Sequence, residues 1–360
     1  MYFRLKLKIY FIVAFFMLLS CNKNKTVETE TKLFKNMHRN DSITLSKELK
    51  DLEPLMLDKT GVYVLEDGSG SMVARAWLTE YSEKTIDIQY FIFSTDNIGL
   101  IACDYLVRAA DRGVNVRILV DDIMVDADVE DILTFSSHEN ITVKIYNPGV
   151  NLGKNIFQKI GKFATDFKSA NQRMHNKTFI VDDKVVITGG RNIANEYFDY
   201  SHEYNFRDRD VLLIGKEVEN VKKSFDEFWT SSLSQDVNTL VDIEGKNTNA
   251  ENRFDKLHAY ANDPENFWPQ VRKRIEKLPE TFDNIKKSGN LVWLEDVRFI
   301  SDKPGKNDED TSLIGGGLST FSLIKLVKNA KSSIEIQTPY LITSILSRTL
   351  FKEAVDRGVK

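Results

Sequence analysis

Hydrophobic positions along this chain follow two periods that take turns over much of its length. Over Met72–Tyr81, Leu100–Arg112 and Val218–Trp229, apolar residues recur every three to four positions, which predicts amphipathic helices. Between them lie short runs rich in β-branched residues, Ile86–Phe93, Val114–Val120, Thr142–Tyr146 and Val211–Ile214, which predict strands. Thr178–Val181 and Val185–Ile187, separated by Asp182-Asp183-Lys184, predict a hairpin of two buried strands. Strands alternating with helices imply an α/β fold, a mainly parallel or mixed sheet flanked by helices.

The polar stretches divide the chain. The globular pattern covers 61–235 and resumes over 291–360. Residues 236–290 are polar, contain Pro264, Pro269 and Pro279, and predict a helical linker. Residues 21–60 are rich in Asn, Lys, Thr and Glu, with a weak helical pattern at Leu45–Leu57, and predict a tether followed by a short helix. Residues 1–20 predict a signal peptide: Arg4, Lys6 and Lys8 precede the apolar run Ile9–Leu19, which is too short to span a membrane comfortably. That run closes on Leu18-Leu19-Ser20-Cys21, which resembles a bacterial lipobox and makes Cys21 the expected lipidation site. Each buried methylene of an acyl anchor contributes ~0.8 kcal/mol to membrane binding. The expectation is a lipoprotein of the bacterial cell envelope, on the outer face of the cytoplasmic membrane or in an outer membrane.

Composition changes this picture little. A hydrophobic content of 42% and a charged content of 28% are those of a globular protein. The net charge of −4 supplies no broad basic field, so no nucleic-acid partner is expected. Beyond Cys21 the only cysteine is Cys103, so no intrachain disulfide is available once Cys21 is acylated. Cys103 sits in an apolar helical pattern and reads as a core residue.

A repeat is visible at long range. Ile86-Asp87-Ile88-Gln89-Tyr90 is echoed by Ile334-Glu335-Ile336-Gln337-Thr338 at an offset of 248, and Ala109–Val114 by Ala354–Val359 at an offset of 245. Two pseudo-symmetric repeats are therefore expected, the second incomplete over 291–360.

The candidate chemistry lies in Met174–Asp182 and Gly189–Asn192. His175 and Lys177 are two apart, which on extended chain puts them on one face. An imidazole beside an ammonium suits attack on a phosphodiester: the histidine is a nucleophile, and the lysine and an asparagine amide hold the non-bridging oxygens. The spacing H-x-K-x4-D-x6-G-G-x-N resembles the signature of the phospholipase D superfamily. Many members have Gly-Ser where this chain has Gly189-Gly190, so a hydroxyl contact to phosphate is missing or supplied elsewhere. Asp87–Tyr90, Ala109–Val114, Leu119–Asp122, Thr165–Phe167, Arg173–Lys177, Glu196–Phe198, Trp293, Arg298, Ser301-Asp302 and Pro304 extend the likeness to bacterial cardiolipin synthases of the C type.

That resemblance implies two repeats facing each other, each giving a His-Lys pair. One histidine forms a phosphohistidine, and the other protonates the leaving alcohol. A second alcohol, or water, then takes the phosphatidyl group, with no metal or cofactor. By motif position the catalytic residues are His175, Lys177 and Asp182, with Asp182 bracing the site, while Lys177 and Asn192 bind phosphate. Asp208 is the candidate for orienting the histidine, with Glu203 and Asp210 as alternatives. The expected partners are phospholipid substrates, the membrane through its anchor, and a second His-x-Lys half-site from the C-terminal repeat or a homodimer. His38, His138, His202 and His258 have no lysine two residues on. Three functions are in view: phosphatidyl transfer that forms cardiolipin; phosphodiester hydrolysis of lipid or nucleic acid; and an inactive half-site serving as a binding module. Phe225, Phe228 and Trp229 read as core, and Gly68–Gly70 as a turn.

Overall fold

The computed structural model describes residues 39–122, 129–148, 173–240, 250–305, 317–338, 341 and 343–360. The predicted signal peptide, Cys21 and Thr165–Phe167 lie outside the described residues.

Two short helices, α1 (Leu45–Leu49) and α2 (Glu53–Met56), lead into strand β1 (Thr60–Leu65). Helix α3 (Gly68–Tyr81) follows, where Asp67 accepts the Gly70 N–H at 2.7 Å. This N-cap turns the predicted Gly68–Gly70 turn into the first turn of a helix. Then come β2 (Thr85–Tyr90), α4 (Asn97–Asp111), β3 (Asn115–Asp121), α5 (Val129–Ser136) and β4 (Ile141–Tyr146). The predicted hairpin is β5 (Thr178–Val181) and β6 (Val185–Gly189), and β7 (Asp210–Gly215) and α6 (Val218–Trp229) follow it.

β8 (Ser234–Asp236) and β9 (Val292–Leu294) complete one sheet of order β8-β4-β3-β2-β5-β6-β7-β1-β9. Only β2–β3 and β3–β4 pair in parallel; the other six neighbours are antiparallel. The sheet is thus mixed rather than mainly parallel. Helical crossovers enforce parallel pairing as far as β4, whereas the hairpin and its neighbours return by short connections.

Alternate residues of each strand feed different layers, as a pleat requires. Phe179 and Val181, Val185 and Ile187, and Leu212 and Ile214 join the larger core, which also receives α3 and α4. Ile180, Val186 and Leu213 point into a smaller core sealed by Val221, Phe225 and Phe228 of α6. Phe225 and Phe228 of α6 are core, as their spacing predicts, while Trp229 is partly buried against them.

The described residues between 236 and 290 are largely helical, and they pack on the domain that precedes them. They form α7 (Val237–Leu240), α8 (Ala250–Ala261), α9 (Pro269–Glu276) and α10 (Thr281–Lys287). Phe267, Val271, Ile275, Leu278 and Phe282 are buried in the larger core, and Phe282 stacks on Trp77 at 4.7 Å. These apolar residues are thinly spread among charges, so their joint burial shows only in three dimensions. β9 likewise adds to the edge of this sheet, pairing Gly61 with Trp293.

α11 (Leu318–Asn329) and α12 (Ile345–Asp356) pack on each other. The end of α12 repeats the end of α4: Val359 N–H reaches Ala354 O and Val114 N–H reaches Ala109 O, with Gly358 and Gly113 at φ 86° and 89°. Likewise Lys360 N–H donates to Ser332 O at 2.9 Å, as Asn115 N–H donates to Lys84 O at 2.9 Å. No described helix is long and apolar enough to cross a membrane.

Candidate active site

The site grows from the ends of β3, β2 and β6. Asp121, the last residue of β3 and fully buried, accepts the Met174 N–H at 2.9 Å and reaches Arg173 Nη1 at 3.2 Å. Gln89 of β2 holds the Met174 sulfur at 3.0 Å. These contacts fix the extended segment that enters β5, and so set where His175 projects. The His175 side chain is exposed, with its ring centroid 4.9 Å from that of Phe91. Lys177 turns inward, is only 6% exposed, and places Nζ 5.7 Å from the Phe91 ring centre. Its Nζ donates to the His175 carbonyl at 2.9 Å. Two residues at strand spacing therefore share one face, with Phe91 against both.

Burial pushes the Lys177 ammonium down to about 8, and the carboxylates of Asp208 and Asp210 pull it back up. A cation held this way lacks full compensation, and an arriving phosphodiester would supply it.

The segment after β6 brings the amide. Ile193 N–H donates to Ile92 O at 3.1 Å and Ser94 N–H to Ile193 O at 2.8 Å, which lays Asn192 alongside the residues that follow β2. Asn192 is 3% exposed, and its Oδ1 accepts the Ile92 N–H at 3.0 Å. With the oxygen committed, the NH2 end is the part left for other contacts, and the side chain also hydrogen-bonds Tyr197.

Gly189 is required by crowding, since a Cβ there would stand 2.4 Å from the Arg209 backbone oxygen; one at Gly190 would stand 2.3 Å from Asp208 Oδ1 and would displace that side chain. The space a serine would need at Gly190 is therefore filled by the Asp208 carboxylate. Asp208 thus lies at the site, beside Gly190 and near Lys177.

Beneath the site is a buried set of charges. Asp210 accepts Ser71 Oγ at 2.8 Å and Arg75 Nη2 at 2.9 Å, and its other oxygen takes the Arg191 N–H at 3.2 Å. Burial would raise this carboxyl, but Arg75, Ser71 and Arg191 outweigh it and hold it below the usual carboxylate range. Arg75 Nε also reaches the Tyr90 hydroxyl at 3.1 Å. Arg191 donates to Leu65 O at 3.1 Å, Glu66 O at 2.9 Å and Tyr197 O at 3.1 Å. Asp210 is consumed by this network, and Glu203 is exposed. Of the three candidate carboxylates, Asp208 is the one that lies against Gly190 and acts on Lys177.

Asp182 is not in this cluster. The four residues of β5, roughly 13 Å of extended chain, separate it from Lys177. At φ 51° it turns the hairpin, and its carboxylate accepts the N–H groups of Glu83, Lys84 and Thr85 at 2.8, 2.7 and 2.9 Å. Asp182 therefore ties the hairpin to the start of β2, the contact a bracing residue would make, and stands apart from His175, Lys177 and Asn192. Phe91 and Arg75 carry no sequence signal for the site, whereas Asp121, an acid at a strand end, and Tyr197 fall in the stretches Leu119–Asp122 and Glu196–Phe198 that carry the resemblance.

Residues 79–229 match the protein family described as cardiolipin synthase, PLD-like domain. An uncharacterized protein of Helicobacter pylori (strain ATCC 700392 / 26695) is 34% identical over 302 residues, covering 82% of this chain and 57% of that protein. Cardiolipin synthase C of Escherichia coli (strain K12) is 30% identical over 302 residues, covering 83% of this chain and 61% of that enzyme. The chain thus spans 57% to 61% of the length of these two relatives. Phosphatidylserine synthase from Haemophilus influenzae Rd KW20 shares the fold, with a TM-score of 0.52 at 13% identity, over 87% of this chain and 64% of that one.

Proposed function

We propose that this protein is a phospholipase D-type phosphatidyltransferase that forms cardiolipin. The observation that carries the reading is the arrangement of His175, Lys177 and Asn192: an exposed imidazole beside a buried, under-compensated ammonium and an amide of fixed orientation. In the first step one imidazole nitrogen attacks phosphorus, the bond to the leaving alcohol breaks, and the alcohol oxygen takes a proton from a second histidine. In the second step the acceptor hydroxyl gives its proton to that second histidine and displaces the phosphohistidine. Lys177 and the Asn192 amide bear the charge on the non-bridging oxygens throughout.

His175 serves as the nucleophile or as the acid, and a second His-x-Lys half-site takes the other role. That half-site comes from a C-terminal repeat or from a second copy of the chain. Among the described residues, His138 is engaged by Asp111 and His258 by Asp104. An acyl anchor at Cys21 would hold the enzyme at the envelope membrane where its lipids lie.

The test is lipid analysis of cells making the native protein or its His175→Ala variant. Cardiolipin formed by the first and not by the second supports transfer. Phosphatidic acid in its place would mean that water, not an alcohol, accepts the group. Equal cardiolipin from both would remove the proposal.

A further inference from the structure

The larger core is not filled everywhere. Under α8, on the face of β3 and β4 that carries α4 and α5, lies a cavity of about 500 Å³. Its floor is Ile118, Val143 and Ile145, and Leu100, Phe135 and Leu257 wall it. Interiors are packed about as densely as organic crystals, and voids larger than a water are few. An apolar space of this size matches a small-molecule site, for which ~300–1,000 Å³ is usual.

Two features say what would occupy it. The first is continuity with the candidate active site. Phe91 touches the His175 ring, Ile92 donates its N–H to Asn192, and Phe93, Ser94 and Thr95 line the cavity. Two residues at the site thus run directly into three that line the cavity, and the five span at most roughly 17 Å. The second is charge: Arg253 and Lys256 of α8 stand among a lining that is mostly apolar. α8 is fixed in place by His258 against Asp104 and by the Tyr260 hydroxyl on Asn97 Oδ1 at 2.8 Å.

We propose that this cavity holds one acyl chain of the phospholipid whose phosphodiester lies at His175, with Arg253 and Lys256 facing its anionic or glycerol end. The identity of the lipid rests on the phosphatidyl-transfer reading; the capacity to bind a chain does not.

The experiment uses the whole protein and cis-parinaric acid, a fluorescent unbranched fatty acid. Binding should saturate, lysophosphatidylglycerol should displace the probe, and Val143→Trp should weaken binding by about tenfold or more. His175→Ala should bind as the native chain does. Ile118→Phe, a smaller filling change, serves if the tryptophan variant fails to fold. Absence of saturable binding, or equal affinity in a folded filling variant, would overturn the cavity assignment. Displacement by fatty acid but not by lysophospholipid would overturn the substrate assignment. Normal probe binding by a protein that makes no cardiolipin would count against the transferase reading and leave the chain-binding cavity standing.

Discussion

The two ends of the β5–β6 hairpin carry residues of one sequence signature, yet they do different work. At one end His175 and Lys177 meet Phe91, with the Gly189–Asn192 segment beside them. At the other, Asp182 binds three successive backbone N–H groups and touches none of these. A fixed spacing in sequence therefore encodes strand length as well as chemistry. The offset from Lys177 to Asp182 is set by the four residues needed to cross the sheet, and the aspartate locks the hairpin to β2 in that register.

The comparison breaks most clearly if each end is disabled separately. His175→Ala should lower lipid product on the order of 10³-fold or more. Its exposed side chain supports little packing, so the melting temperature should hardly move. Asp182→Ala should do the reverse, losing about 1–3 kcal/mol of stability while product formation persists at low temperature. Loss of activity in a folded Asp182→Ala protein, measured well below its melting temperature, would place Asp182 in the chemistry after all.

A sharper version removes the buried support beneath the chemical end. Asp210→Ala leaves Arg75 buried against Ser71 and Tyr90 without its carboxylate. Breaking a buried pair from one side costs about 3–5 kcal/mol, more than the Asp182 tie. Denaturant unfolding of the two variants side by side checks that order. If Asp210→Ala is the milder of the two, the charges under Gly189 and Gly190 do not carry the site.

Much of this arrangement can be read from the chain, and the unread part has a physical reason. The hairpin was legible because Thr178–Val181 and Val185–Ile187 are apolar on both faces and flank a polar turn. α6 was legible to the residue, Val218–Trp229, because its apolar stripe is strong. β1 was not, since it contains Gly61 and its burial does not alternate, and β9 spans only three residues. Phe91 escaped notice because nothing in sequence tells an aromatic residue just past a strand and beside His175 from one in the core. The meaning of Gly190 was hidden too. It depends on Asp208, eighteen positions on, whose carboxylate claims the space of a side chain.

The smallest effect tests the chemical end by pH. Lys177 has its pKa lowered by burial to about 8, so its neutral form is the one the fold favours. A group depressed in this way contributes most to stability above its unfolded value, and that contribution is lost as pH falls through about 8. At pH 7 the native fold therefore carries an ammonium at a cost, and Lys177→Met should melt higher than the native protein. The gap should close as pH rises from 8 toward 10. Function runs the other way: affinity for a phosphodiester analogue should fall as pH climbs past 8, because the cation that meets it is being discharged. Titration calorimetry from pH 6.5 to 9.5 reads that slope directly. A flat profile, together with no gain in melting temperature for Lys177→Met at pH 7, would mean that the ammonium is already fully compensated within the fold. It would then be part of the scaffold, like Asp182, and the two ends of the hairpin would differ less than the contacts imply.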